Sequence, residues 1–168
     1  TNWKGSLGSY KLSPNGKWIA LAAAEEDAEE EKAKKEKRDF KVVDEKPRLQ
    51  SLWIIPTEED SAGKRTPKKL TPPAYHVGQF DWSPDSLHIA YETTPTPGFD
   101  DARLANISEV AVESGAIKAI ATTGAAESQP HYSPDGRFLA YVRGSDPPNR
   151  ILPQNIALFT RALGAVRN

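Results

Sequence analysis

An all-β fold built from about three copies of one four-stranded unit is predicted by three observations in the sequence. A turn phrase recurs as Ser13-Pro14-Asn15-Gly16, Ser83-Pro84-Asp85-Ser86 and Ser133-Pro134-Asp135-Gly136. Each copy leads into one apolar tail: Ile19-Ala20-Leu21, Ile89-Ala90-Tyr91 and Leu139-Ala140-Tyr141. Further short β-favouring runs follow each copy, separated by Gly and Pro. A single Ser-Pro-Asp-Gly is an ordinary turn, but the shared tail makes it a repeat, and a repeat decides the architecture. Four strands in roughly 40–50 residues is the size of a propeller blade, so the fold class expected is a partial β-propeller of about three four-stranded blades.

The turn chemistry is specific. Pro at the second position pre-sets φ for a type I turn, and Asp or Asn suits the third. Gly16 and Gly136 then take the left-handed conformation that returns the chain as a hairpin. The strands continue from Lys17 to Ala22, Leu87 to Thr93 and Arg137 to Tyr141. Lys17 to Ala22 is apolar without alternation, as in a strand covered on both faces.

The whole chain, residues 1–168, reads as part of one propeller domain. Blade 1 spans about 9–72, blade 2 about 75–122 and an incomplete blade 3 about 126–168. In blade 1, residues 9–12 form the first strand, and Glu25 to Arg38 is a charged insertion. Glu30/Lys34 and Glu31/Lys35 are i,i+4 pairs in the favourable order, so a short exposed helix is expected there. It has almost no apolar stripe and reads as a solvated excursion, with a lid or a subunit contact as the sharper alternative. Phe40 to Val43 resumes the sheet edge, Leu49 to Ile55 is a strand stopped by Pro56, and Lys68 to Thr71 is a short outer strand.

In blade 2, strands are expected at Tyr75–Trp82, Leu87–Thr93, Ile107–Val112 and Ala116–Ala121, with an irregular loop through Pro95, Pro97 and Gly98 to about Ala102. Blade 3 starts near Ser128, loops through Pro147, Pro148 and Pro153, and strands again at Asn155–Phe159. Gly164-Ala165-Val166-Arg167 matches Gly115-Ala116-Ile117-Lys118, so the chain ends inside an outer strand. It also opens Thr1-Asn2-Trp3 without Met. Three blades cannot close a ring of about four to eight, so a piece of a longer protein is expected.

Composition bounds the function. With 22 Lys+Arg against 23 Asp+Glu, the chain lacks the basic excess of a nucleic-acid surface. It has no Cys, hence no disulfide or thiolate chemistry, and no apolar run approaches the ~20 residues of a membrane span. The compartment, periplasmic, secreted or cytoplasmic, is left undecided.

No catalytic, cofactor-binding or metal residue is read from the sequence. No Ser stands in the Gly-x-Ser-x-Gly pattern of a nucleophile elbow. His76, His88 and His131 are not spaced as a helical metal pair. His131 near Ser133 suggests a base and a nucleophile, but Ser13 and Ser83 repeat Ser133 with no His before them. The turn explains all three Ser, and it explains Asp85 and Asp135 better than ligation does. Trp18, Trp53, Trp82, Phe138 and Phe159 read as blade-to-blade core, with a sugar-binding platform as the competing reading. Gly5-Ser6-Leu7-Gly8 lacks the ending of a phosphate loop.

The triple Ser-Pro-(Asp/Asn)-(Gly/Ser) with its Ile/Leu-Ala-Leu/Tyr tail resembles the WD-like repeat of TolB-type propellers. It also resembles the propeller of prolyl oligopeptidase family serine peptidases, which include dipeptidyl aminopeptidases and acylaminoacyl peptidases. The acidic-then-basic insertion, and the phrase Val42-Val43-Asp44 with Leu52-Trp53-Ile54-Ile55 beyond it, resemble bacterial members of the peptidase group. That likeness implies a propeller lying over an α/β-hydrolase domain and gating oligopeptides by size, with the Ser-Asp-His triad in the hydrolase domain. Dipeptidyl peptidases present a paired Glu to the substrate's amino terminus. Glu25-Glu26 lacks the aromatic context of that pair, and the role is not carried over. The partners implied are an oligopeptide substrate, the remainder of the propeller and the hydrolase domain, with room for a homo-oligomer. The alternative is a TolB-like, non-enzymatic protein-binding propeller.

Overall fold

The computed structural model describes residues 3, 5–26, 32, 36, 47–145 and 154–161, and among these every strand belongs to one of three antiparallel sheets. Blade 1 runs β1 (Leu7–Leu12), β2 (Trp18–Ala23), β3 (Ser51–Pro56) and β4 (Lys68–Lys69). Blade 2 runs β5 (His76–Trp82), β6 (His88–Thr94), β7 (Asn106–Ala111) and β8 (Ile117–Ala121). Blade 3 has β9 (Glu127–Tyr132), β10 (Phe138–Arg143) and β11 (Asn155–Thr160). Each sheet follows chain order, and the fold is a partial β-propeller.

The repeated turn is one device used three times. In each copy the Ser carbonyl accepts the N–H three residues on: from Gly16 at 2.9 Å, Ser86 at 2.8 Å and Gly136 at 2.9 Å. The Ser hydroxyl oxygen accepts the N–H that opens the next strand, from Trp18, His88 or Phe138, each at 2.9 Å. The same hydroxyl donates to Asn15, Asp85 or Asp135 at 2.8, 2.5 and 2.6 Å. Blade 2 carries Ser86 where its neighbours carry Gly, and holds it at φ 62°. A side chain is strained there, and its Oγ gains a bond from the Asn15 N–H at 3.1 Å across the blade boundary.

The inner strands share a further feature. The ladder shifts register between Leu7 and Tyr10, and between Val77 and Phe80, with a matching shift opposite β9 between Ala140 and Val142. A bulge bends the strand and increases its twist. Gly8 and Gly78 mark it in two blades, and Gln129 at φ 55° marks it in the third.

Several expectations shift in detail. Thr71 extends the β4 edge through its side chain, the hydroxyl accepting the Leu52 N–H at 2.9 Å, because Pro72-Pro73 ends the backbone ladder. The loop before β7 holds a 3-10 helix, Phe99–Leu104, with Asp100 and Asp101 in its first turn. Most of the charged segment Glu25–Arg38, Phe40–Val43, the loop at Pro147–Pro153 and the terminal Gly164–Asn168 lie outside the described residues. Within that segment the Glu36 N–H donates to the Lys32 carbonyl at 2.9 Å, one α-turn. No described helix is long and apolar enough to cross a membrane.

The core lies between the sheets. Leu52, Ile54, Val77, Phe80, Trp82, Ile89 and Tyr91 join blades 1 and 2. A smaller cluster of Ala90, Ile107, Ala121 and Leu139 joins blades 2 and 3. Trp82 is core, as expected. Trp53 packs on the face of blade 1 away from blade 2, edge-on to Trp3 at 5.0 Å and under the Lys69 ammonium. Phe159 packs against the second cluster, while Phe138 is half-buried beneath the Arg137 guanidinium.

Candidate functional site

The first strand of each blade is an edge of its sheet, and β5 packs across blade 1 as β9 packs across blade 2. The inner edges of β1, β5 and β9 thus come together. Two positions before the turn Ser stand Lys11, Asp81 and His131. Four before it stand Ser9, Gln79 and Gln129, all exposed. One register position is therefore charged and the next carries hydroxyl and amide groups.

The charged row is connected. Lys11 Nζ donates to Asp81 Oδ1 at 2.9 Å. Asp81 Oδ2 accepts the Tyr132 N–H at 3.0 Å, and His131 Nδ1 lies 3.6 Å away. An edge-strand N–H has no ladder partner, and a carboxylate from the neighbouring blade satisfies it. Glu92 repeats this on the Gln129 N–H at 3.3 Å, its carboxylate lying over Gly78, where an added Cβ would come within 3.0 Å of it. Burial lifts the Glu92 carboxyl above its ordinary value, and the Gln129 bond partly offsets that.

A second polar set is buried on the blade 2 face. Tyr132 donates its hydroxyl to Glu109 Oε1, and Arg161 Nε lies 3.1 Å from the same oxygen. The Arg161 guanidinium also covers the Tyr132 ring at 5.4 Å. Burial first, then the Glu109 carboxylate, raises the Tyr132 phenol well above its usual range, so it acts as a fixed donor. Glu127 is fully buried and accepts from the Thr123 N–H and hydroxyl. Its other oxygen and the Nε of its register partner Arg143 have no hydrogen-bond partner among the described residues.

The residues weighed from sequence fall as follows. Ser133 Oγ donates into its own turn, and His131 is directed to Asp81, so the two form no base–nucleophile pair. Asp85 and Asp135 each accept the N–H two residues on, from Leu87 at 2.9 Å and Arg137 at 3.0 Å. His76 Nδ1 accepts the Gln50 N–H at 3.2 Å, which requires a neutral ring, and burial lowers its pKa. His88 opens β6, its N–H on Ser83 Oγ. Among the described residues, no three His, Asp or Glu side chains group as a metal site. Lys11, Asp81, Glu92, Glu109 and Arg161 were not singled out from sequence. Aligning the turn Ser residues puts Lys11, Asp81 and His131 in one column, and opposite charges in a repeat column are a readable sign of contact between blades.

No protein-family model matches the chain, and no curated protein matches it in sequence. Solved structures do resemble it. A TolB structure of Agrobacterium tumefaciens superposes with a TM-score of 0.56 at 19% identity, over 94% of this chain and 45% of that one. The β-propeller domain of the Trilobed protease of Pyrococcus furiosus gives 0.51 at 14% identity, over 94% of this chain and 40% of that one. A prolyl endopeptidase gives 0.50 at 19% identity, over 83% of this chain and 19% of that one. The chain thus spans less than half of each of these structures, and the likeness is one of propeller fold.

Proposed function

We propose that the chain is the non-catalytic propeller part of a prolyl-oligopeptidase-type serine peptidase, gating oligopeptides toward a hydrolase domain that these residues do not supply. The observation that carries this reading is the wall at β1, β5 and β9. It presents amide, hydroxyl and charged groups in repeated register, while all three turn Ser hydroxyls are committed to their turns. Such a wall suits passing contacts with an extended peptide backbone and offers no activated nucleophile. The likeness to protease propellers supports the same reading.

The similarly good superposition on a TolB propeller favours a second reading, a non-enzymatic module that binds protein partners. Fluorophosphonate labelling of the full-length natural protein separates the two. Covalent labelling of one serine on the polypeptide that contains this propeller is expected for the peptidase. An intact, folded protein that takes no label contradicts that reading and favours the binding module. The isolated propeller is expected to hydrolyse no peptide.

A further inference from the structure

Between blades 1 and 2, at the turn end, lies an open cleft of about 470 Å³. Its apolar surface comes from Trp18, Ile54, Leu87 and Val112. The repeat supplies an internal control for these positions. Ile54 pairs with Ala20 as Glu109 pairs with Ala90. The Val112 N–H donates to the Leu87 carbonyl as the Arg161 N–H donates to that of Arg137, both at 2.9 Å. Trp18 and His88 each follow the turn Ser by five residues.

In the second seam the corresponding positions thus hold Glu109, Arg161, Arg137 and His88. The Arg161–Glu109 pair fills that space, with side chains only 17% and 9% exposed. The first seam has no such plug. Leu87 remains 58% exposed at its rim.

The rim is cationic. Lys68 reaches across the seam and donates to the carbonyls of Val112 at 2.9 Å and Glu113 at 2.8 Å. Carbonyl partners fix the ammonium in place without neutralising it. Lys17 stands on the same lining. Among the described residues neither lysine is paired with a carboxylate, and Glu113 is the one acidic residue of the lining.

From this apolar floor lined by two lysines against one acidic residue, neither lysine in an ion pair among the described residues, we infer that the cleft docks an extended segment of a partner protein in which a bulky apolar side chain is flanked by carboxylates. The apolar side chain enters between Trp18 and Leu87, and the carboxylates meet Lys17 and Lys68. The volume suits one or two large side chains. This docking is independent of the wall at β1, β5 and β9 and holds whichever reading of that wall is right.

A random heptapeptide display library, selected on the folded protein and counter-selected on its Leu87→Arg variant, tests the inference. Leu87 is exposed, so the variant is expected to fold, as circular dichroism would verify. The expected result is a consensus of Phe, Leu or Trp next to Asp or Glu. The consensus peptide, fluorescein-labelled, should then bind with an affinity at least tenfold weaker for Lys17→Glu, and its binding to the wild type should weaken in high salt. Failure to enrich a consensus, a consensus without acidic residues, or equal affinity for wild type and Lys17→Glu would overturn it. Concentration-dependent self-association by sedimentation, abolished by Leu87→Arg, would overturn it in favour of a second copy as the occupant.

Discussion

Blades 1 and 2 meet through Leu52, Ile54, Phe80, Trp82 and Tyr91, while blades 2 and 3 meet through a small apolar cluster and the groups Asp81, Glu92, Glu109, Tyr132 and Arg161. The backbone repeat is the same in both seams, down to the turn bonds. Register therefore does not dictate seam chemistry. Ile54 and Glu109 occupy one position and leave the ladder intact. An apolar seam draws stability from area removed from water, roughly 25 cal/mol per Å². An ionic seam gains little net stability from its charges but is damaged badly when one partner is lost.

The largest effect is expected in the apolar seam. Trp82→Ala removes a side chain 5% exposed and the indole N–H bond to the Lys11 carbonyl at 3.2 Å. A loss of about 3–5 kcal/mol by urea titration is expected. A loss below about 1 kcal/mol would mean that this core is not what joins the first two blades.

In the ionic seam, Arg161→Ala strands the Glu109 carboxylate, and a loss of about 3 kcal/mol is expected. Making this seam apolar with Glu109→Ile and Arg161→Val, as in the first seam, together with Tyr132→Phe, should return stability to within about 1 kcal/mol of the parent. If the triple variant is as weak as Arg161→Ala, the two seams are not interchangeable.

Acid should separate the seams by sign. The His76 imidazole, between blades 1 and 2, is held below its ordinary 6.5 by burial. The unfolded chain then takes up a proton that the folded chain resists, so this contribution is present at higher pH and lost as pH falls below 6.5. His76→Gln should flatten that part of the stability curve. Glu92, between blades 2 and 3, is raised, so its contribution runs the other way: favourable in acid and lost as pH rises through its folded value. Glu92→Gln keeps an acceptor for the Gln129 N–H and should remove this slope. Curves measured from pH 4 to pH 8 check both signs.

The smallest effect is expected at Ser86. Ser86→Gly relieves the positive φ and gives up the Asn15 bond, two opposed terms of about 1 kcal/mol each. A net change within about 0.5 kcal/mol is expected by thermal melting, smaller than that of Gly16→Ala, where only strain is added.

The repeat made the blades legible because its turn is local: Ser, Pro, Asp and Gly act on their own backbone within five residues. Strand positions followed, and the continuous apolar run of β2 marked a strand that is buried from Ala20 to Ala23. The 3-10 helix Phe99–Leu104 was hidden behind Pro95, Pro97 and Gly98, although Asp100-Asp101 marks a helix start. The bulges were signalled by Gly8 and Gly78, five residues before their turn Ser. Beyond the Lys11, Asp81 and His131 column the seam networks were not legible, because Asp81 and Tyr132, or Glu109 and Arg161, become neighbours only when one blade packs on the next. Which face of blade 1 carries Trp53 was not legible for the same reason: alternation fixes which residues share a face, not which sheet covers it.

Native-state hydrogen exchange, resolved by strand, tests the contrast between the seams most directly. The amides of β9 and β10 are expected to open at a lower free energy than those of β2, β3 and β6, and Arg161→Ala should widen that gap while leaving β2 and β3 unchanged. A single opening energy shared by all three sheets, shifted equally by Arg161→Ala, would contradict it.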